Sequence, residues 1–370
     1  MKKTALVLSV IFVLSVLMIV AVQHARAIPK TITVPDDYDS IQKALDNAED
    51  GDTVFVRNGV YVENPVIHKA VALIGENRDA TVIDVTAGLK VESVGVTLTG
   101  FTIYDGYDGI SLAGNYCDIK GNKIQNATHG IVIFGYENSI SDNVFEFIGL
   151  SSAIQLNFAN RNYITGNYID SCVEGIQIWQ NSNNNTITEN TITNCKNYAV
   201  SFQYSDYNTL IRNNISTSEC GTSIYVSNNN NITNNNYLNN TFQFSANEWY
   251  ALTWGHSRSV NTINKNYWSD YNGTDNNGDS MGDSPYFIDE YNQDDNPLMN
   301  PVTIPSYLQN GYPKESPPSS LPSIEPTASP EPQPEPFPTV PVVAFLASLI
   351  AGVVGLAICF RKRKSEAKPS

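Results

Sequence analysis

The chain has 370 residues, 41% of them apolar, and a formal net charge of −15 with a pI near 4.6. That balance excludes nucleic-acid binding by phosphate neutralisation, because no Lys/Arg-rich face exists to carry it. Five cysteines with no Cys-x-x-Cys, and only four histidines, exclude a zinc site of the usual spacing.

Residues 1–27 read as a secretory signal peptide. Lys2 and Lys3 precede an apolar run over 5–22, and Ala25-Arg26-Ala27 offers small residues for cleavage. The run is also long enough for an uncleaved anchor, and both outcomes stay open here. A folded domain is expected over 28–300. It begins with a short strand at 32–34. Asp39-Ser40-Ile41-Gln42 then has the form of a capping box with Asp39 as N-cap. Ile41, Ala44, Leu45 and Ala48 make one apolar helix face, suited to covering the raw end of a stacked core. Short strands follow at 53–56, 71–74, 82–85 and 89–91.

From residue 109 the chain repeats. Gly109-Ile110-Ser111-Leu112 recurs as Gly130-Ile131-Val132-Ile133, Ala153-Ile154-Gln155-Leu156, Gly175-Ile176-Gln177-Ile178 and Ala199-Val200-Ser201-Phe202. A second phrase, apolar-x-x-Asn-x-apolar, carries an Asn marker at 122, 143, 167, 190, 213, 235 and 266, in steps of 21, 24, 23, 23, 22 and 31. A period near 22 with alternating apolar residues predicts an all-β solenoid, a right-handed parallel β-helix. Asn tolerates left-handed backbone and can hydrogen-bond to its counterparts on neighbouring rungs. The markers are therefore expected to form a turn ladder rather than a binding site.

The last step is longer than the others by about eight residues, and the insertion holds Trp249, Tyr250, Trp254, His256 and Arg258. Residues 266–300 read as an acidic C-terminal cap, opened by the bulky run 266–271. Residues 301–339 are rich in Pro, Ser, Thr and Glu and read as an extended stalk. Residues 340–360 are uncharged and apolar, long enough to span a bilayer as one helix, and residues 361–370 begin with Arg361-Lys362-Arg363-Lys364. By the positive-inside rule that tail is cytoplasmic. The expected layout is a single-pass cell-membrane protein with its β-helix outside the cell.

Three phrases carry a family resemblance. The run 36–45, followed by Gly51-Asp52-Thr53-Val54 and Gly59-Val60-Tyr61-Val62-Glu63, resembles the entry to pectin-lyase-like right-handed β-helices. The Asn-marked rungs resemble parallel β-helix repeats. The closing run 266–271, with Gly282-Asp283-Ser284-Pro285-Tyr286, is similar to archaeal NosD-like surface proteins. The resemblance covers about residues 31–300. It implies the fold, and an activity among sugar binding, polysaccharide lyase, hydrolase or epimerase chemistry, or copper handling.

Candidate sites are the departures from the repeat. Asp108, His129 and Glu174 each precede a Gly-Ile phrase and so share a column, with Asp105 nearby. A carboxylate beside a His is what proton abstraction from a uronate sugar needs. The same column is ordinary polar surface in the simpler reading, and no Arg stands in it. Phe134, Tyr136, Phe158, Trp179, Tyr204 and Tyr207 follow the first strands, and with Trp249 and Trp254 they offer stacking platforms for sugar rings. Asp275, Asn277, Asp279 and Asp283 place oxygens at positions 1, 3, 5 and 9 of a Ca²⁺-type loop, although Ser280 replaces the usual Gly and no Glu stands at position 12. Copper lacks a visible cluster of soft ligands. Cys172 and Cys195 each lie five residues after a ladder Asn, which suits either a disulfide or two buried thiols. Asn126, Asn184, Asn214, Asn231, Asn239 and Asn272 begin glycosylation sequons. A non-catalytic module for carbohydrate or a surface protein is the favoured reading, with a polysaccharide-active enzyme and a copper-handling protein as alternatives.

Overall fold

The computed structural model describes residues 28–246 and 259–305. The signal segment, Trp249, Tyr250, Trp254, His256, Arg258, most of the stalk, the candidate membrane span and the basic tail lie outside them. Among the described residues no helix is long and apolar enough to cross a membrane.

Each rung supplies one strand to each of three sheets, of 13, 10 and nine strands in the order the chain meets them, parallel throughout except for the closing pair Tyr286–Phe287 and Gln293–Asp294 of the first. One rung runs Asp118–Lys120 in the first sheet, Lys123–Gln125 in the second and His129–Ile133 in the third. The winding is right-handed, with about ten turns of roughly 22 residues, the hand that parallel crossovers favour.

Strand alternation makes the core. Leu98, Ile119, Ile140, Ile164, Ile187, Leu210 and Ile232 stack in register along the first sheet, and Ile103, Ile124, Phe145, Ile169, Ile192 and Ile215 along the second. All are fully buried. Each is worth about 1.5–3 kcal/mol relative to an exposed side chain, and the stacking of identical shapes fixes the register.

Every turn must satisfy its backbone groups. At the corner between the first two sheets, each marker Asn does so with its neighbours. Asn167 Oδ1 accepts from Asn143 N–H at 3.0 Å, and Asn190 Oδ1 from Asn167 N–H at 2.9 Å. The ladder continues through Asn213 and Asn235 to Asn266, and all its members are buried. A second Asn ladder, not singled out by the sequence, stands at the corner between the third and first sheets: Asn138, Asn162, Asn185, Asn208, Asn230 and Asn261.

Both ends are closed by different chemistry. The N-terminal helix, α1 (Ile41–Asn47), buries Ile41, Ala44 and Leu45. Its N-cap is Ser40, which accepts from Lys43 N–H, and not Asp39, which pairs with the Lys43 side chain. The Glu63 carboxylate accepts the Ile41 and Gln42 N–H groups at 2.9 Å each. At the other end the core changes from aliphatic to aromatic: Tyr237 stacks on Trp268 at 4.4 Å, and Trp268 on Tyr286 at 4.3 Å. Buried Asp294 ends the first ladder by accepting from the N–H groups of Lys265 and Asn266 and from Trp268 Nε1.

Beyond Leu298 the chain turns back. Val302 exchanges hydrogen bonds with the Asn236 amide, and Arg212 donates to the Thr303 carbonyl at 3.2 Å. Ile304 is buried there. This return path follows the corner between the first and second sheets, the one corner that the third sheet does not share.

Candidate functional site

The third sheet has the longest strands, six residues each at Ser152–Asn157, Glu174–Trp179, Tyr198–Gln203 and Cys220–Tyr225. The Gly/Ala that opens each phrase faces the next rung with no room to spare. A Cβ on Gly175 would lie 2.3 Å from the Ala199 carbonyl oxygen and 2.6 Å from Ile192 Cγ2. The outward residues then fall into columns. One runs Lys90, Ser111, Val132, Gln155, Gln177, Ser201 and Ser223, of which Lys90 is exposed, Gln155 and Gln177 half-buried, and Val132, Ser201 and Ser223 buried, and the next pairs Asn157 with Trp179 and Gln203 with Tyr225.

Gln155, Gln177, Asn157 and Trp179 therefore form a two-by-two tile on the outer surface. Gln155 Nε2 donates to Gln177 Oε1, and Ser152 Oγ reaches the same oxygen at 3.4 Å. Asn157 Oδ1 is buried and has no hydrogen-bond partner. An unsatisfied buried acceptor costs about 1–3 kcal/mol, so it calls for a role. Phe134 and Phe158 border the tile and are 47% and 58% exposed, and Tyr204 continues the aromatic margin in edge-to-face contact with Tyr225 at 5.2 Å. Left-handed backbone at Phe158 and Tyr204, both at φ 53°, turns these rings out of the strand line. Tyr136 and Tyr207 lie further along the turn, on the far side of this margin. Tyr136 meets the Tyr116 ring at 5.6 Å and lies under the Arg161 guanidinium at 5.5 Å. Trp249 and Trp254 lie outside the described residues.

The acid–base column is only partly assembled. Asp108 and His129 are register partners, with His129 Nδ1 at 3.1 Å from Asp108 Oδ1. That distance suits an ion pair, but the atoms are not aligned for a hydrogen bond, and Nδ1 is buried without a partner. Glu174 is separate. Ser152 stands between it and His129 in the column, so Glu174 is three rungs from Asp108, about 14 Å at ordinary strand spacing. Paired glycosidase carboxyls stand no more than about 9.5 Å apart. Glu174 instead accepts from Ser201 Oγ at 3.2 Å, and burial raises its pKa, with the Ser201 bond opposing the rise. Asp105 adopts φ 67° in the turn before the column.

The acidic loop closes on its own amides. Asp275 accepts from the N–H groups of Gly278, Asp279 and Ser280, Asn277 from Asp279, Asp279 from Met281, and Asp283 from Asn276. Among the described residues no three His, Cys, Asp or Glu side chains gather to hold a metal ion. Among the described residues the His and Cys side chains have other neighbours. His68 faces Glu92, His129 faces Asp108, and Cys117, Cys172, Cys195 and Cys220 are buried free thiols.

Of the two readings for Cys172 and Cys195, a disulfide or two buried thiols, the structure shows two buried free thiols. Of the sequon residues, Asn126, Asn184, Asn231, Asn239 and Asn272 are exposed. Asn214 is half-buried, and its Oδ1 accepts from Asn236 Nδ2 at 2.7 Å.

Fold and surface together define a right-handed parallel β-helix protein whose third sheet carries an aromatic-bordered polar face. A family model described as "Periplasmic copper-binding protein (NosD)" matches residues 45–273, and the chain belongs to the NosD family. No curated protein matches it. Solved structures with similar winding include a PL6 alginate lyase in complex with a trisaccharide, at 14% identity, covering 70% of this chain and 65% of the lyase with a TM-score of 0.49. A Yersinia enterocolitica family 28 exopolygalacturonase matches at 11% identity, covering 67% of this chain and 68% of that one with a TM-score of 0.48. The Dettilon tailspike protein matches at 15% identity, covering 64% of this chain and 62% of the tailspike, less than two thirds of its length, with a TM-score of 0.45.

Proposed function

We propose that the protein is a non-catalytic binding module that presents its third sheet to polysaccharide. Half-buried Trp179, in register beside Asn157 and near the exposed rings of Phe134 and Phe158, carries this reading. Sugar sites combine a stacking ring with a few fixed hydrogen-bonding groups, and the Gln155–Gln177 pair adds amides one column away. The return path of residues 298–304 also supports it, because that segment follows the corner remote from this face. Display outside the cell, through a C-terminal anchor, is part of the proposal and rests on segments beyond the described residues.

The separation of Asp108 from Glu174 favours binding over a paired-carboxylate reaction. Screening the purified full-length protein against a glycan array tests the proposal, with Trp179→Ala and Asn157→Ala as site variants. Loss of at least tenfold in affinity in both is expected. Absence of any carbohydrate ligand, or unchanged binding in Trp179→Ala, overturns it. Unsaturated products or new reducing ends formed from acidic glycans would instead establish an enzyme, and their loss in His129→Ala would place its base.

A further inference from the structure

Resting on that reading, we infer that the third sheet selects uncharged polysaccharide over uronate polymers, and that Glu174 sets the preference. Around the Gln155–Gln177 tile, the strands 108–112, 129–133, 152–157, 174–179, 198–203, 220–225 and 242–246 contain no Lys or Arg. Among the described residues the one cation on the sheet's strands is exposed Lys90, three rungs from Gln155 in the same column, so a polymer with one carboxylate per sugar would meet a counter-charge only at that end of the face. In the bordering turns Arg161 is held by Glu137 at 2.6 Å and covers Tyr136, and exposed Lys196 stands one rung from Glu219.

Glu174 adds a carboxylate to this face. Its Oε2 accepts from Ser201, the register partner of Gln177, so the carboxylate leans toward the Gln155–Gln177 column and does not point away from it. A carboxylate accepts from sugar hydroxyls, as an ionised oxygen makes the stronger hydrogen bonds. It repels a second carboxylate, and partial burial leaves that repulsion less screened than in water. The formal net charge of −15 acts in the same direction at longer range. The residues that attract a neutral chain are thus the residues that reject an acidic one.

The test compares full-length protein binding to neutral β-glucan and mannan hexasaccharides with binding to oligogalacturonate and oligomannuronate of equal length, by calorimetry at pH 7.5 and low ionic strength. Wild type should bind the best neutral ligand at least tenfold more tightly than either uronate. Glu174→Gln should narrow that ratio at least threefold by tightening the uronate. A second variant, Lys90→Ala, removes the cation at the end of the Gln155 column and should widen the ratio independently. Uronate binding equal to or tighter than neutral binding, lost in Trp179→Ala, overturns the selectivity while leaving the carbohydrate reading intact. An unchanged ratio in a folded Glu174→Gln removes Glu174 from its role. Binding to none of the four probes, with an empty glycan array, ends both readings together.

Discussion

Asn190→Ala tests the ladder at its centre. Asn190 is fully buried, and its side chain makes five hydrogen bonds. Oδ1 accepts from the N–H and the Nδ2 of Asn167, both at 2.9 Å, while Nδ2 donates to Ile164 O, Thr188 O and Asn213 Oδ1 at 3.0 Å each. After truncation some partners keep another contact. Asn167 Nδ2 retains Ile140 O and Thr165 O, and Asn213 Oδ1 retains Asn190 N–H. The Asn167 N–H has no second acceptor. That orphaned donor costs about 1–3 kcal/mol, and two further lost bonds add about 0.5–1.5 kcal/mol each. The expected destabilisation is about 2–6 kcal/mol, read by urea unfolding followed by circular dichroism. Because rungs contact only their neighbours, amide exchange should accelerate first at Asn167 and the rung above it. Exposed Lys196→Ala is the control and should stay within about 0.5 kcal/mol. A loss under about 1 kcal/mol, with Asn167 still protected, would refute the claim that the Asn side chains hold the corner.

Three other expectations follow from the same contacts. Gly175→Val must displace the Ala199 carbonyl and should lower stability by about 3 kcal/mol or more, whereas Gly149→Val, whose Cβ would meet nothing within 4 Å, should melt close to wild type. Burial raises the Glu174 pKa, so the folded state holds that proton more tightly and stability falls as pH rises from the ordinary glutamate value of 4.5 through the folded pKa. Around Glu174 stand Ser201, Tyr198 on the next rung, the buried thiol of Cys195, and exposed Lys196 in the turn before Tyr198. Glu174→Gln should therefore be more stable than wild type at pH 8 and lose that advantage below pH 4.5, and an equal difference at both pH values refutes the assignment. In the acidic loop the carboxylates already hold amides, so 5 mM Ca²⁺ against EGTA should move the melting temperature by less than about 1 °C, and a larger rise would show a bound cation.

What the sequence made legible was whatever carries the period. The markers at 122 to 266 and the Gly/Ala-Ile phrase declare themselves because each must recur on every rung. The second ladder recurs in nearly the same steps, 24, 23, 23, 22 and 31, yet stays hidden. Its members sit in runs such as Asn183-Asn184-Asn185 and Asn228 to Asn231, and only the fold decides which amide points inward. The helix cap fell one residue from the expected place for a similar reason, since Asp39 and Ser40 are both good caps and Glu63 takes the remaining amides. Asp294 ends a ladder from 28 residues beyond Asn266, a spacing that belongs to no repeat. The Asp108–His129 contact could be read from column position, but Gln155, Asn157 and Gln177 look like ordinary surface until register sets them beside Trp179.

Family membership raises copper as a question, and the thiols on adjacent rungs are the donors to weigh first. Copper prefers thiolate and thioether sulfur, and Cys172 and Cys195 are the two cysteines on adjacent rungs. Both lie in the apolar interior, where burial pushes Cys172 up to about 12 and Cys195 higher still. Ionising Cys172 at pH 7 then costs on the order of 7 kcal/mol, at about 1.4 kcal/mol per unit, against roughly 2 kcal/mol for an ordinary thiol. A metal at this pair would also have to open a core packed against Ile169 and Ile192, with no third ligand gathered there among the described residues. Copper added to the purified protein and then dialysed should accordingly remain at under about 0.1 equivalent by elemental analysis. Retention of one equivalent, lost in Cys172→Ser, would show that the core opens for the metal and that burial does not silence these thiols.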